Sequence, residues 1–348
     1  MLINLLKIII PTTLAFFVGL GITPIATHFF YKYKMWKKYS RNENTNPDFK
    51  KIHNEKEELK TPRVGGIIIW SSVVFVVFIY YIVSLIFTSP FFTKMDFISR
   101  DQTIIPLFTL ILASIIGLYD DLIQIYGKGK LAHDDKSWRK WKAFLIALLA
   151  FLIAIWFFYK LGMSSINVPF LGEFNLGFLF IPFFVLVTLA TFSGGVIDGI
   201  DGLSGGVLAS IFSAYSVIAF INNQINLAVF CGILTGAILA FLWFNVPPAR
   251  FYMGETGIMG LTVTLTTIAF LTNSVLLLPI IALPLAISSL SVILQIVFKK
   301  IRGKGLFILA PIHHHFEAVG WPSYKVTMRF WILSIVFAIM GVILAAIS

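Results

Sequence analysis

Ten long, mostly apolar stretches recur along the 348 residues, and they constrain the fold more than any other feature. An unpaired peptide group in hydrocarbon costs several kcal/mol, so such stretches cross a bilayer as helices of about 20 residues that satisfy their own backbone. The spans are expected near 3–30, 65–88, 103–119, 143–161, 175–192, 205–222, 225–244, 257–272, 274–298 and 328–347. The eighth is short, which leaves its boundary with the ninth the least defined. With 58% hydrophobic and 12% charged residues, the composition excludes a water-soluble domain. The expected class is an all-α integral membrane protein with about ten transmembrane helices, one polytopic domain over 1–348. Leu2 to Phe30 is too long for a signal-peptide core and lacks a small-residue cleavage site, so it reads as a retained span.

If the spans alternate, segments 31–64, 120–142, 193–204, 245–256 and 299–327 share one side of the membrane. The first holds ten Lys and Arg and the second six, of 27 in the chain. That imbalance predicts a cytoplasmic face for these loops and an outer face for both termini. The same face takes 13 of the 16 acidic residues, all but Asp96, Asp101 and Glu173, so the chemistry is expected there. The net charge of +11 is thereby explained without nucleic acid, which would need basic residues gathered on a soluble surface. The single Cys231 excludes a disulfide or a cysteine metal site within one chain.

Four short strings carry the candidate chemistry. Asp120 and Asp121 directly follow the apolar run ending at Tyr119, where the bland reading is an interfacial helix end. Between Ser193 and Gly206, Asp198 and Asp201 stand among six glycines. A flexible turn explains those glycines, but two acids in an otherwise uncharged loop between spans favour function. From Asn245 to Gly257 the only acid is Glu255, which a helix cap would also explain. The last string, Pro311 to Glu317, contains His313, His314 and His315.

Successive helical residues point about 100° apart, so three adjacent histidines make a poor zinc site. Imidazoles, neutral or protonated, that donate to phosphate oxygens suit the string better. Carboxylates alone would repel a diphosphate. A magnesium ion resolves this, because it takes oxygen ligands from one or two carboxylates and from substrate phosphates. Lys128, Lys130 and Lys142 are candidate cationic clamps on the same face.

In this order and at these spacings between ten spans, the strings resemble the polyprenyl-phosphate N-acetylhexosamine-1-phosphate transferase superfamily. Pro311-Ile-His-His-His-Phe-Glu317 before Gly320-Trp321, with Thr61-Pro62 and Gly65-Gly66 ahead of span two, resembles its phospho-N-acetylmuramoyl-pentapeptide-transferase family. The resemblance covers essentially the whole chain. It implies transfer of a phospho-sugar from UDP-N-acetylmuramoyl-pentapeptide to undecaprenyl phosphate at the bacterial inner membrane, giving lipid I and UMP, with Mg2+ as cofactor and a homodimer as assembly. It further implies that Asp120, Asp121, Asp198 and His313 to His315 are catalytic. Thr61, Lys128, Gly199, Asp201, Asn245 and Tyr252 would bind substrate, Tyr252 by stacking on uracil, and Glu255 would hold the metal.

The chain departs from the family pattern at several of these places. Glu255 stands for an aspartate, Gly195-Val196-Ile197 for Asn-Leu-Thr, Gln124 for a lysine, and Glu57-Glu58 add acid to a usually basic loop. These changes bear on metal geometry and donor choice, with UDP-N-acetylglucosamine as the competing donor; a non-catalytic scaffold or a lipid flippase is the reading from another class. The topology is tested by cysteine labelling: a cysteine placed near Lys136 should resist an impermeant reagent in intact cells. Ready labelling there would invert the assignment.

Overall fold

The computed structural model describes residues 2–38, 58–86, 98, 100–127 and 136–348. Among them, ten helices are long and apolar enough to cross a membrane. They are carried by α1 (Leu2–Lys32), α2 (Gly66–Ile86), α3 (Ile105–Tyr126), α4 (Lys136–Lys160) and α5 (Phe180–Ser193), then α6 (Leu203–Ile221), α7 (Ile225–Asn245), α8 (Gly254–Leu271) and α9 (Leu283–Arg302). A short α10 (Ile312–Ala318) precedes the last span, α11 (Ser323–Ile347).

The layout follows from hydropathy. α8 is the least apolar span, at mean hydropathy 1.3, and its apolar window is 94% buried; α11, at 2.7, is 22% buried. Thr256, Thr262, Thr264, Thr266 and Thr267 of α8 are fully buried. Such a helix belongs at the centre of the bundle, where Thr262 donates to the Ile258 carbonyl at 2.7 Å and Thr266 meets Thr191 of α5. The same threonines make the eighth span the weakest in the sequence pattern. α3 packs along α8 more extensively than any other pair of helices does. Gly117 permits this approach, because a Cβ there would collide with the Glu255 carbonyl.

Three boundaries differ from the sequence expectation. α3 continues to Tyr126, because Leu122, Ile123 and Ile125 extend its pattern and the backbone turns extended only at Gly127. Asp120 and Asp121 therefore stand inside a helix and not at its end. The expected span 274–298 follows Asn273 at φ 51° and is interrupted at Ala282, between Pro279 and Pro284. A 3-10 turn, Val275–Leu277, and one helical turn, Leu278–Ile281, precede α9. Between α4 and α5 an antiparallel hairpin, β1 (Ser165–Val168) and β2 (Gly172–Asn175), adds two strands to the helical class.

Replacing Gly117 by Ala should lower the thermal unfolding midpoint of the detergent-solubilised protein, by an overpacking cost of about 1–3 kcal/mol. Gly21→Ala on α1, where a Cβ meets nothing within 4 Å, should leave it unchanged or slightly raised. Equal midpoints for the two variants would remove Gly117 from the α3–α8 seam.

Candidate active site

Asp120 and Asp121 are each only about 1% exposed, and as neighbours on a helix they face different partners. Asp121 points at the start of α8 and accepts from the backbone N–H of Glu255 at 3.1 Å and of Thr256 at 2.9 Å. An anion at a helix N-terminus is well placed, because those amides have no intrahelical acceptor. Gly254, at φ 71°, carries the chain between this carboxylate and the Arg63 carbonyl, where a Cβ would lie 2.6 Å from Asp121 Oδ2.

Asp120 faces α4. It accepts from Gln124 Nε2 at 3.0 Å, from Lys142 Nζ at 3.1 Å and from the Trp138 indole. Lys142 reaches further, to Glu255 Oε1 at 3.0 Å, so one ammonium joins carboxylates from α3 and α8. Glu255, expected in a loop, lies in the first turn of α8.

A second group of residues lies along the glycine-rich loop. Gly195 packs beside Ile258, one turn into α8 from Glu255, and Gly194 beside Leu285 of α9. Asp198 accepts from Ser204 Oγ at 2.7 Å. Asp201 Oδ2 accepts from the Ala249 N–H at 3.0 Å. Asn245 uses both ends of its amide within the protein, accepting from the Gly202 N–H at 3.0 Å and donating to the Phe251 carbonyl at 2.8 Å. It thus ties the two loops together, a structural duty beside the ligand contact expected of it. Half-buried Tyr252 is fixed through its backbone to Pro62 and Gly65, next to buried Thr61. Lys128 lies outside the described residues.

The histidine string divides. It forms α10, which turns His313 and His314 onto Gly199: a Cβ there would lie 2.7 and 2.8 Å from their Nε2 atoms. His314 Nδ1 pairs with Glu317 at 2.7 Å, and Glu317 accepts from Ser323 at 2.6 Å. His315 instead accepts from the Ile308 N–H at 3.3 Å and rests on Phe307. His313 is fully buried, and neither ring nitrogen has a hydrogen-bond partner among the described residues. Burial, with His314 beside it, pushes its pKa well below 6.5. Of the two protonation states that the sequence allowed, His313 therefore takes the neutral one.

Sequence reasoning passed over Arg63, Trp138, Ser204 and Glu317, and gave Lys142 no more weight than Lys128 and Lys130. A usable signal was present: Trp138 and Lys142 are four residues apart, which puts both on the face of α4 that meets Asp120.

Comparison with known proteins supplies the family. The profile of glycosyl transferase family 4 matches residues 103–273. A phospho-N-acetylmuramoyl-pentapeptide-transferase of Clostridium perfringens is 32% identical over 334 residues, 95% of this chain and 96% of the relative. The chain belongs to the phospho-N-acetylmuramoyl-pentapeptide-transferase family. A Geobacillus relative of the same name is 31% identical over 96% of both chains. One from Levilactobacillus brevis is 34% identical over 69% of this chain and 73% of its own.

The neutral His313 gives this family member a pH signature. Its folded pKa lies below the unfolded value near 6.5, so the unfolded chain binds the extra proton and stability falls as pH drops through 6.5. The thermal midpoint should fall between pH 7.5 and 5.5, and His313→Gln should flatten that fall even if its midpoint at pH 7.5 is lower. An unchanged slope in the variant would mean that other groups set the dependence.

Proposed function

We propose that this chain transfers phospho-N-acetylmuramoyl-pentapeptide from its UDP carrier to undecaprenyl phosphate, releasing UMP and forming lipid I. The observation that carries the reading is the pairing of near-full-length similarity to transferases of that name with the convergence of Asp120, Lys142 and Glu255. The working assembly is a homodimer in the bacterial inner membrane, with the site facing the cytoplasm and both termini outside, as the basic loops favour.

The residues fit a divalent cation. Lys142 stands in for one, holding Asp120 at 3.1 Å and Glu255 at 3.0 Å, so oxygens from two helices already converge on positive charge. Magnesium takes oxygen ligands from one or two carboxylates and completes its shell with water and substrate phosphates. Asp120 and Glu255 would hold the ion, which when bound neutralises charge on the donor's diphosphate.

In the proposed reaction an oxygen of the lipid phosphate attacks the donor's sugar-side phosphorus. The bond from that phosphorus to the bridging oxygen breaks, and UMP leaves with the electron pair. A phosphate monoester loses its second proton near pH 6, so the nucleophile is largely ionised at neutral pH and needs little help from a base. Asp120 is accordingly an orienting anion: three donors already converge on it. His313 and His314 pack directly on Gly199, and a neutral His313, whose ring nitrogens have no partner among the described residues, would donate one hydrogen bond to a diphosphate oxygen. Tyr252 supplies a ring for the uracil.

Purified protein with undecaprenyl phosphate, magnesium and UDP-N-acetylmuramoyl-pentapeptide should release UMP. UDP-N-acetylglucosamine should not support release, and a preference for it would replace the donor assignment. Glu255→Gln should cut turnover by roughly 10²–10³-fold, the usual loss for one electrostatic contact to a reacting group. Glu255→Asp should be milder. Wild-type rate and wild-type magnesium dependence in Glu255→Gln would remove Glu255 from the metal site.

A further inference from the structure

Apart from this site, a cleft of about 490 Å³ opens beside the C-terminal end of α1, lined by Pro24, Thr27, His28, Tyr31, Lys32 and Arg250. Three nitrogen-bearing side chains converge on it, and no carboxylate lines it. Lys32 and Arg250 are exposed, and neither has an acidic partner among the described residues; their recorded contacts are with rings, Lys32 with Tyr33 and Arg250 with Phe244.

The cleft is held in shape from the protein side. Tyr31 donates its hydroxyl to the Arg250 carbonyl at 3.0 Å, and the Arg250 N–H donates to the Phe244 carbonyl at 2.9 Å. One residue earlier, the Ala249 N–H is bonded to Asp201. The backbone that presents Arg250 is thus fixed at several points, and its guanidinium remains available. Positive charge at the last turn of α1 is also favoured by that helix's own dipole.

Depth decides what such a cleft would take. His28, Tyr31 and Lys32 belong to the last two turns of a membrane span, so the cleft lies at the height of lipid headgroups. Exposed Phe29 and Tyr33, chain neighbours of His28 and Lys32, are aromatic residues of the kind that favour this zone. Basic pockets at the ends of spanning helices suit anionic headgroups, each nearby Lys or Arg contributing about a factor of five in affinity.

We infer that this cleft binds the phosphate of an anionic membrane lipid, held by Lys32 and Arg250 with His28 and Tyr31 alongside. The occupied cleft bridges α1 to the segment 245–253, which runs into Glu255. Lipid binding here would therefore brace the loop that also carries Tyr252, without contributing a group to the reaction.

The test uses full-length protein in neutral detergent micelles doped with phosphatidylglycerol, with phosphatidylcholine, or supplemented with inorganic phosphate. Phosphatidylglycerol should raise the thermal midpoint at low salt, and the other two should not. In K32Q/R250Q the half-effect concentration of phosphatidylglycerol should rise at least tenfold, with the undoped midpoint unchanged. If the double variant does not fold, K32Q alone, at an exposed last turn, should shift it several-fold. An undiminished phosphatidylglycerol response in whichever variant folds would overturn the inference. So would an equal response to phosphatidylcholine, which would indicate a bulk lipid effect. An equal response to inorganic phosphate would replace the lipid with a soluble anion.

Discussion

The buried Asp121 carboxylate, set against two first-turn amides of α8, is the contact on which the rest of the site depends. Those amides lack helical acceptors, and a carboxylate buried without donors would be costly, so each group answers the other's deficit. The bond fixes how far α3 and α8 slide past each other. It thereby sets the height of Asp120, one residue back, relative to Glu255 at the start of α8. Gly117 and Gly254 serve the same seam, one by removing a collision with the Glu255 carbonyl and the other by a left-handed turn past Arg63. Without this registration Lys142 would have no single point from which to reach both carboxylates.

Much of this was legible in the sequence, because bilayer physics leaves few options. Spans had to be apolar runs, charges had to gather between them, and acids inside glycine-rich or proline-rich connections stood out against an uncharged background. Where α3 ends was less legible: two aspartates read as the end of an apolar run, yet they are buried inside the helix because α4 and α8 supply their donors. Partners from distant segments leave no local mark. The break at Ala282 was hidden for a related reason, since apolar composition continues across it and only Pro279 and Pro284 hint at a turn.

The histidine string illustrates how adjacency in sequence misleads. Helical geometry sends His315 to its own loop and leaves His313 and His314 on Gly199, so the string divides into a pair and a single residue. Their environments differ as well. His314 is paired with Glu317, while His313 is buried with both ring nitrogens unpartnered among the described residues. A buried imidazole without partners costs stability, and a site that tolerates that cost gains a donor or acceptor whose geometry is set before a ligand arrives.

Charge balance around Lys142 explains why Glu255 tolerates its extra methylene. Asp121 is occupied by two amides of α8, which leaves Asp120 and Glu255 with one lysine between them and a single formal negative charge in excess. A divalent cation added to that trio would reverse the sign, and a diphosphate needs such a field. In the proposed reaction the carboxylate would meet the lysine in one state and the cation in the other. A side chain rooted in the first turn of α8 and one bond longer than aspartate can cover both positions by rotating, while the backbone beneath it stays pinned to Asp121. Registration of the helices and adaptability of the carboxylate are thus assigned to different atoms of the same residue, the Glu255 N–H bonded to Asp121 and the Oε1 paired with Lys142.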